Sequence, residues 1–211
     1  KKGVCLSTGG FIFNRQMVKE YAPKYYAGMP LGTSNDQGCG IRLGQSVGGK
    51  TDHMNRVTAW RFLNPPLAFA QGIVVNKHGK RFCNEMVYGA TLGDAMCEDN
   101  EGKAYLILSA ELFTESKVQA NKALPFQRDM AKMLIYFNAK KKTDLEDIAK
   151  VYDLPTENLI SEVKKYNEAA NSGAPCEFGK APTDVKFLKG PFYIMDISID
   201  SKLAPLTTLT L

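Results

Sequence analysis

Three features of the sequence predict a globular fold of the α+β or the α/β class. Short β-branched and apolar runs at residues 73–76 and 104–108 are typical of buried strands. Further along, apolar residues recur at helical spacing, as in Leu159, Val163 and Tyr166. The hydrophobic content of 44% and the charged content of 23% are ordinary for a chain that buries a core.

The first 50 residues predict a strand, a glycine turn and two helices. The apolar run before Thr8–Gly10 indicates a buried strand that meets a tight turn. Residues 17–21 then carry apolar side chains on one face of a helix. The glycine-rich segment 28–50 indicates a loop, followed by a short helix over 41–47 with a glycine cap.

The centre of the chain predicts one hairpin-like turn, at His78-Gly79, and a series of helices. One helix covers 89–98, and residues 110–137 are mostly helical with a break near a proline. Thr143, with a glutamate three residues later, predicts a capping box at the start of the next helix. Gly173 marks the end of the last one.

Both ends of the chain resemble interrupted strands. Residues 208–211 alternate threonine with leucine, which is typical of a strand, and the chain stops within that pattern. Native chains usually end in exposed polar tails. We therefore expect an internal piece of a longer protein, whose two ends belong to one sheet.

Charge and cysteine usage narrow the classes of function. The net charge of +5 is spread along the chain, and its densest run, Lys140–Lys142, is more typical of a solvated loop than of a nucleic-acid site. The five cysteines include no C-x-x-C pair, which indicates reduced thiols and a cytoplasmic protein. We expect no metal site, no nucleic-acid partner and no membrane span, since no apolar run is long enough to cross a bilayer.

Taken one at a time, the local motifs identify no chemistry. The glycine-rich segment 28–40 suits a phosphate-binding loop, but it lacks the P-loop pattern, and no G-x-G-x-x-G follows a strand. Tyr88 precedes the glycine that begins a predicted helix, and a tyrosine is a poor base unless neighbouring groups stabilise its phenolate. Glu85 fits equally well as a helix-capping carboxylate.

An ordered series of segments is more informative than any single motif. The series resembles the middle of FAD-dependent flavoproteins of the fumarate reductase and 3-ketosteroid dehydrogenase superfamily, and it covers nearly the whole chain. Its segments, in chain order, are "VCLSTGGFIFNRQMVKEYAP", "GCGIRLGQSVGG", "GIVVNKHGKRFCNEMVYGATLGDAM", "YNEAANSGAPCEFGK" and "PFYIMDISIDSKLAPLTTLTL".

The resemblance implies an α+β fold in which a substrate-capping domain is inserted in a Rossmann-like FAD domain. Residues 1–55 would be part of the FAD-binding domain, residues 56–195 the capping domain, and residues 196–211 a returning strand of the FAD-binding domain. FAD is implied as the cofactor of the full-length protein. Since the dinucleotide-binding strand and helix are not among these residues, we expect weak or absent FAD binding by this chain alone. The implied cofactor contacts are Thr8, Gly9, Gly10, Asp36, Asn84 and Glu85.

The sequence differs from the fumarate reductases at positions that are implied to be catalytic. By resemblance, those enzymes have a Glu-x-x-Arg pair before the "G-x-x-V-N" strand and an arginine four residues after Asn-Glu. Here the first position reads "NPPLAFAQG" and the second is Gly89. Tyr88 follows Asn84-Glu85 as a tyrosine does in ketosteroid dehydrogenases, although one residue earlier than in the 1-dehydrogenases.

The implied function is hydride transfer between flavin and a CH–CH bond next to a ketone, with Tyr88 as the catalytic proton-transfer residue. A small hydrophobic ketone such as a steroid would bind against Trp60, Phe62 and Phe69. Two alternatives stay open: a fumarate-reductase-like enzyme for another small unsaturated acid, and a non-catalytic isolated cap module. This chain alone is expected to be inactive, and the sequence leaves the electron acceptor open.

Overall fold

The computed structural model describes residues 3–203 and 206–210, and within them the chain mixes helices and sheet as predicted. The helices are α1 Arg15–Tyr21, α2 Cys39–Ser46, α3 Leu67–Ala70, α4 Gly89–Asp99, α5 Ala110–Ala120, α6 Pro125–Met133, α7 Leu145–Val151 and α8 Thr156–Ser172. The strands are β1 Met29–Pro30, β2 Val57–Trp60, β3 Ile73–Val75, β4 Tyr105–Ser109, β5 Lys140–Lys142, β6 Phe192–Asp196 and β7 Thr207–Thr210.

The smaller sheet joins the two ends of the described chain. Its order is β1-β7-β2, and β7 pairs in parallel with β1 and antiparallel with β2. The backbone of Gly10 lies against the side chain of Thr210, and Gly28 lies against Thr208, so closely that neither glycine has room for a side chain. The N-terminal and C-terminal segments therefore meet as predicted, but the N-terminal end, described from residue 3, contributes no strand to this sheet. Leu211 lies outside the described residues.

The larger sheet has the order β3-β4-β6-β5, with every neighbouring pair antiparallel. β3 and β4 are the strands predicted at residues 73–76 and 104–108, and β4 is buried along its whole length. The lysines predicted as a solvated loop instead form the edge strand β5, although all three are exposed. Lysines on an edge strand discourage pairing with a further chain.

The strand predicted before Thr8–Gly10 does not form. The side chain of Val4 is 89% exposed, and residues 3–10 have no regular secondary structure. Strand β7, against which Gly10 packs, already pairs with β1 on one edge and β2 on the other, so residues 3–10 do not pair with it.

The helix predictions fare better. The short helix predicted at 41–47 is α2, and Gly48 follows it with φ of +87°. The predicted stop at Gly173 is confirmed as a left-handed C-cap of α8, with φ of +66°. The capping box at Thr143 is wrong by one residue. Asp144 is the N-cap of α7, and its carboxylate accepts a hydrogen bond from the Asp147 amide at 2.9 Å.

Helix α4 is fixed to β2, a strand of the smaller sheet, by Asp94. Its carboxylate accepts hydrogen bonds from the Thr58 hydroxyl and the Ala59 amide, both at 3.0 Å, and from the Tyr25 hydroxyl at 3.3 Å. β2 belongs to the predicted 56–195 unit, yet it pairs with β7. The division at 55/56 and 195/196 stays a prediction. Within the described residues, no helix has the length and apolarity to cross a membrane.

The crossing of α4 over β2 depends on Gly93, since a Cβ at this position would overlap the Ala59 carbonyl. We expect Gly93→Ala to lower the free energy of unfolding by about 1–3 kcal/mol through overpacking. Urea titration followed by circular dichroism measures this change. The matched control is Gly44→Ala in α2, where the nearest atom to a new Cβ is Leu6 Cδ1 at 3.6 Å. There we expect no loss, or a gain of about 0.5–1 kcal/mol, and equal losses in both variants would contradict the packing argument.

Candidate functional site

Tyr88 lies at the N-terminus of α4, where the chain turns into the helix. Tyr88 is 59% exposed, although it follows a turn whose Glu85 is buried. Its ring contacts the Trp60 ring edge-on, at 5.2 Å between centroids, and Trp60 makes a similar contact with Phe62 at 5.4 Å. The exposed phenol is therefore held by an aromatic pair at the end of β2.

A mostly apolar pocket opens beside these rings. It brings together the three aromatics predicted to bind substrate, with Phe69 fully buried in its wall. Helix α6 and the π-helical turn that follows it supply the opposite side. The lining residues are Trp60, Arg61, Phe62, Pro65, Phe69, Phe126, Gln127, Met130, Ala131, Leu134 and Thr207.

Arg61 is the cation of this pocket, and it is directed into the protein. Its Nη2 donates a hydrogen bond to the Ile197 carbonyl at 2.9 Å. Burial lowers the pKa of its guanidinium to about 10, against the opposing effect of Asp196.

The segment before Tyr88 is a tight turn organised by Asn84. The Asn84 side-chain oxygen accepts a hydrogen bond from the Met86 amide at 2.9 Å, and its carbonyl accepts one from the Val87 amide at 3.2 Å. On the other side of Tyr88, the Gly89 carbonyl accepts from the Arg61 amide at 3.0 Å. Asn84 thus shapes the loop that presents Tyr88.

Glu85 occupies a different environment from the one that the resemblance implies. Its side chain is fully buried and accepts hydrogen bonds from the Val74 amide at 3.0 Å, Arg81 Nε at 2.9 Å and Lys180 Nζ at 3.2 Å. Lys180 Nζ also donates to the Gly72 carbonyl at 2.8 Å. The Glu85 carboxylate is therefore a structural group rather than a cofactor ligand, and it is not a helix cap either.

The electrostatics of this buried cluster follow from one anion between two cations. Burial lowers the pKa of the Lys180 ammonium, and the Glu85 carboxylate offsets part of that effect. Burial by itself would also lower the pKa of Arg81. The adjoining Glu85 carboxylate has the larger, opposite effect and holds the pKa of Arg81 above its usual range. Sequence reasoning did not identify Arg81 or Lys180 as site residues, although both lie in the segments that carry the resemblance.

A second candidate site, the glycine corner, is formed by residues 8–10, 32–33, 36 and 38–40. Gly9 has φ of +73° and lies against the Asp36 carboxylate, which also accepts a hydrogen bond from the Thr33 amide at 3.2 Å. The Gly38 amide donates to the Gly10 carbonyl at 2.9 Å. Four of the residues predicted to bind the cofactor are thus brought together.

The glycine corner fits a polar or anionic part of a nucleotide cofactor. Helix α2 begins there, after Gly38 with φ of +73°, and no side chain caps its first amides. Uncapped amides at a helix N-terminus favour an anion. Gly40 lies against Thr8 with no room for a side chain, so the loop and the helix are closely packed. Cys39, which is exposed, begins the helix.

The described residues contain no group of three or more His, Cys, Asp and Glu side chains placed to bind a metal ion. Strand β7 connects the two candidate sites, because Thr207 lines the apolar pocket and Thr210 contacts the glycine corner. At the usual strand rise, these two residues are about 10 Å apart.

The chain is similar to known flavoproteins. The FAD binding domain family matches residues 1–205. The chain is 36% identical over 192 residues to the 3-oxo-5-alpha-steroid 4-dehydrogenase of Comamonas testosteroni, covering 89% of this chain and 36% of that protein. It is 29% identical over 196 residues to fumarate reductase 1 of Saccharomyces cerevisiae, covering 82% of this chain and 39% of that protein.

A solved structure shows the same fold. The 3-ketosteroid-delta4-(5alpha)-dehydrogenase of Rhodococcus jostii RHA1, in complex with 4-androstene-3,17-dione, superimposes with a TM-score of 0.80 at 24% identity, covering all of this chain and 41% of that one. The chain thus spans between about a third and two fifths of the length of these relatives. The resemblance drawn from the ordered sequence segments is confirmed, and the chain belongs to the FAD binding domain family.

Proposed function

We propose that this chain is part of an FAD-dependent oxidoreductase that acts on a CH–CH bond next to a ketone, of the 3-oxosteroid dehydrogenase or enone reductase type. The observation that carries the proposal is the contact between the exposed Tyr88 and Trp60, because Trp60 in turn lines an apolar pocket. A proton-transfer group beside an apolar wall suits a ketone substrate better than a dicarboxylate. The relatives named for 3-oxosteroid and 3-ketosteroid dehydrogenation support the same choice.

In this proposal the residues divide into three roles. Thr8, Gly9, Gly10 and Asp36 at the glycine corner, with Asn84 in the turn before Tyr88, would hold FAD. Trp60, Phe62 and Phe69 would pack on the flat face of the substrate and exclude water. When bound, the flavin supplies the hydride acceptor or donor. The Tyr88 hydroxyl would move the proton at the carbon next to the ketone, as a base in dehydrogenation and as an acid in reduction.

The larger arrangement is also part of the proposal. Residues 56–195 would form the substrate-capping domain, and residues 1–55 and 196–211 would belong to the FAD-binding domain. Three of the five free cysteines, Cys83, Cys97 and Cys176, are buried as reduced thiols, which is consistent with a cytoplasmic protein.

The first test is Tyr88→Phe in the full-length, FAD-loaded protein. Phe keeps the ring against Trp60 and removes the hydroxyl, so we expect flavin reduction by a 3-ketosteroid to slow by about 10²–10⁴-fold. Single-turnover absorbance of the flavin measures this rate. Tyr136→Phe is the matched control, since Tyr136 is also 59% exposed but, unlike Tyr88, makes no ring contact with an aromatic residue of the pocket within the described part of the chain. If Tyr88→Phe and wild type agree within about threefold, Tyr88 is not the proton-transfer residue.

The second test concerns the aromatic wall. We expect Trp60→Ala to weaken binding of a 3-ketosteroid about tenfold, because losing an aromatic contact costs about 1–2 kcal/mol. Titration of the flavin spectrum with the steroid gives the Kd. Phe187→Ala, which removes a half-exposed phenylalanine away from the pocket, should leave the Kd unchanged. A higher kcat/KM for fumarate than for any ketone would instead favour a small unsaturated acid as substrate.

The third test is cofactor content. We expect the 211-residue chain, purified alone, to hold FAD far below one equivalent, since the dinucleotide-binding strand and helix supply much of the pyrophosphate affinity in such folds. Flavin absorbance of the purified chain, relative to the full-length protein, measures the ratio. Stoichiometric flavin on the short chain would contradict this expectation.

A further inference from the structure

We infer that Lys180 is a positioning residue for Tyr88, acting through the buried carboxylate of Glu85. The inference rests on the proposed function, because it gives Lys180 a role in placing the proposed proton-transfer group. The two residues are 92 positions apart in the sequence, and the structure connects them through one hydrogen-bonded cluster.

The cluster gathers three distant chain segments at one carboxylate. Glu85 accepts from the Val74 amide on β3, from Arg81 of its own loop and from Lys180, which follows the short helical turn Glu177–Gly179. Lys180 is 0% exposed, and its second hydrogen bond goes to the Gly72 carbonyl at 2.8 Å. Lys180 therefore connects the residue directly before β3 to the loop that carries Glu85.

The aromatic surroundings leave the two cations little freedom. Arg81 lies over the Tyr166 ring at 5.0 Å from the centroid, and Lys180 lies over the same ring at 4.9 Å. The Tyr166 hydroxyl donates to the Gln71 carbonyl at 2.7 Å, next to the carbonyl that Lys180 binds. Two buried cations on one carboxylate cannot shift independently, because an unpaired charge in the interior is costly.

Tyr88 lies between two fixed points of this framework. Glu85 anchors the chain three residues before it. Gly89 anchors the chain directly after it, through the hydrogen bond from Arg61 and a close approach to the Arg61 carbonyl that leaves little room for a Cβ. The exposed Tyr88 ring itself contacts Trp60. Its direction therefore depends on where the two anchors hold the backbone, and one of them depends on Lys180.

The test is a double-mutant cycle in the full-length, FAD-loaded protein. Lys180→Met removes the charge and both hydrogen bonds while keeping a similar length, and it is compared in wild-type and Tyr88→Phe backgrounds. We expect Lys180→Met to slow single-turnover flavin reduction by a 3-ketosteroid about 10–100-fold in the wild-type background, with the steroid Kd within threefold. In the Tyr88→Phe background it should change the rate less than threefold.

Thermal stability provides the readout that separates positioning from general damage. Lys180→Met should lower the Tm by the same amount in both backgrounds, since the buried cluster is the same in both. Lys180→Arg, which keeps the charge, should restore most of the rate. If Lys180→Met does not fold, Glu85→Gln takes its place in the same cycle, because it removes the charge and keeps the side-chain shape.

Each outcome is decisive. Equal slowing by Lys180→Met in both backgrounds, or no slowing in either, overturns the positioning role. A Tyr88→Phe variant as fast as wild type overturns the proposed function of Tyr88 itself, whatever Lys180 does. If Lys180→Met slows the reaction only in the wild-type background, which keeps the Tyr88 hydroxyl, the result supports both the positioning role of Lys180 and the proposed role of Tyr88.

Discussion

The buried Glu85 carboxylate is the interaction on which the candidate active site most depends. A charge in the protein interior is tolerated only when it is paired and hydrogen-bonded, and removing one partner of such a pair costs about 3–5 kcal/mol. Its partners are Val74, Arg81 and Lys180, which belong to a strand, a loop and the segment after α8. The carboxylate therefore fixes three segments at once, and the loop that carries Tyr88 is one of them.

The second constraint is β7, which sets the spacing of the site. Two glycines pack directly against its threonine side chains, Gly10 on Thr210 and Gly28 on Thr208, because neither glycine has a side chain in the way. Thr207, at the other end, pairs with Trp60 and lines the apolar pocket. Since a strand has a fixed rise, the pocket and the glycine corner keep their separation, and sites built on such elements are more precise than sites on loops.

The sequence predicted the local elements well and the tertiary ones poorly. β3, β4 and the end of α8 at Gly173 were predictable because periodicity and glycine caps are properties of a short window. The strand before Thr8–Gly10 was wrong because a short apolar run does not specify the strand with which it would pair. The cap at Thr143 was wrong because Asp144, one residue later, is an equally good acceptor. The resemblance singled out Tyr88 and Trp60, whereas the pairing of Glu85 with Lys180 spans 95 residues and leaves no local signal.

Glu85 and Tyr88 show why the candidate site needed the structure. Within a helix, residues three apart lie on the same face, and the sequence alone allows both side chains to share one environment. Here α4 begins only at Gly89, and Asn84 closes a turn with the amides of Met86 and Val87. The turn directs the carboxylate inward and leaves the phenol exposed. One short loop thus separates a buried group that holds three segments together from an exposed phenol, and in our proposal the rigidity of the first gives the second a defined direction.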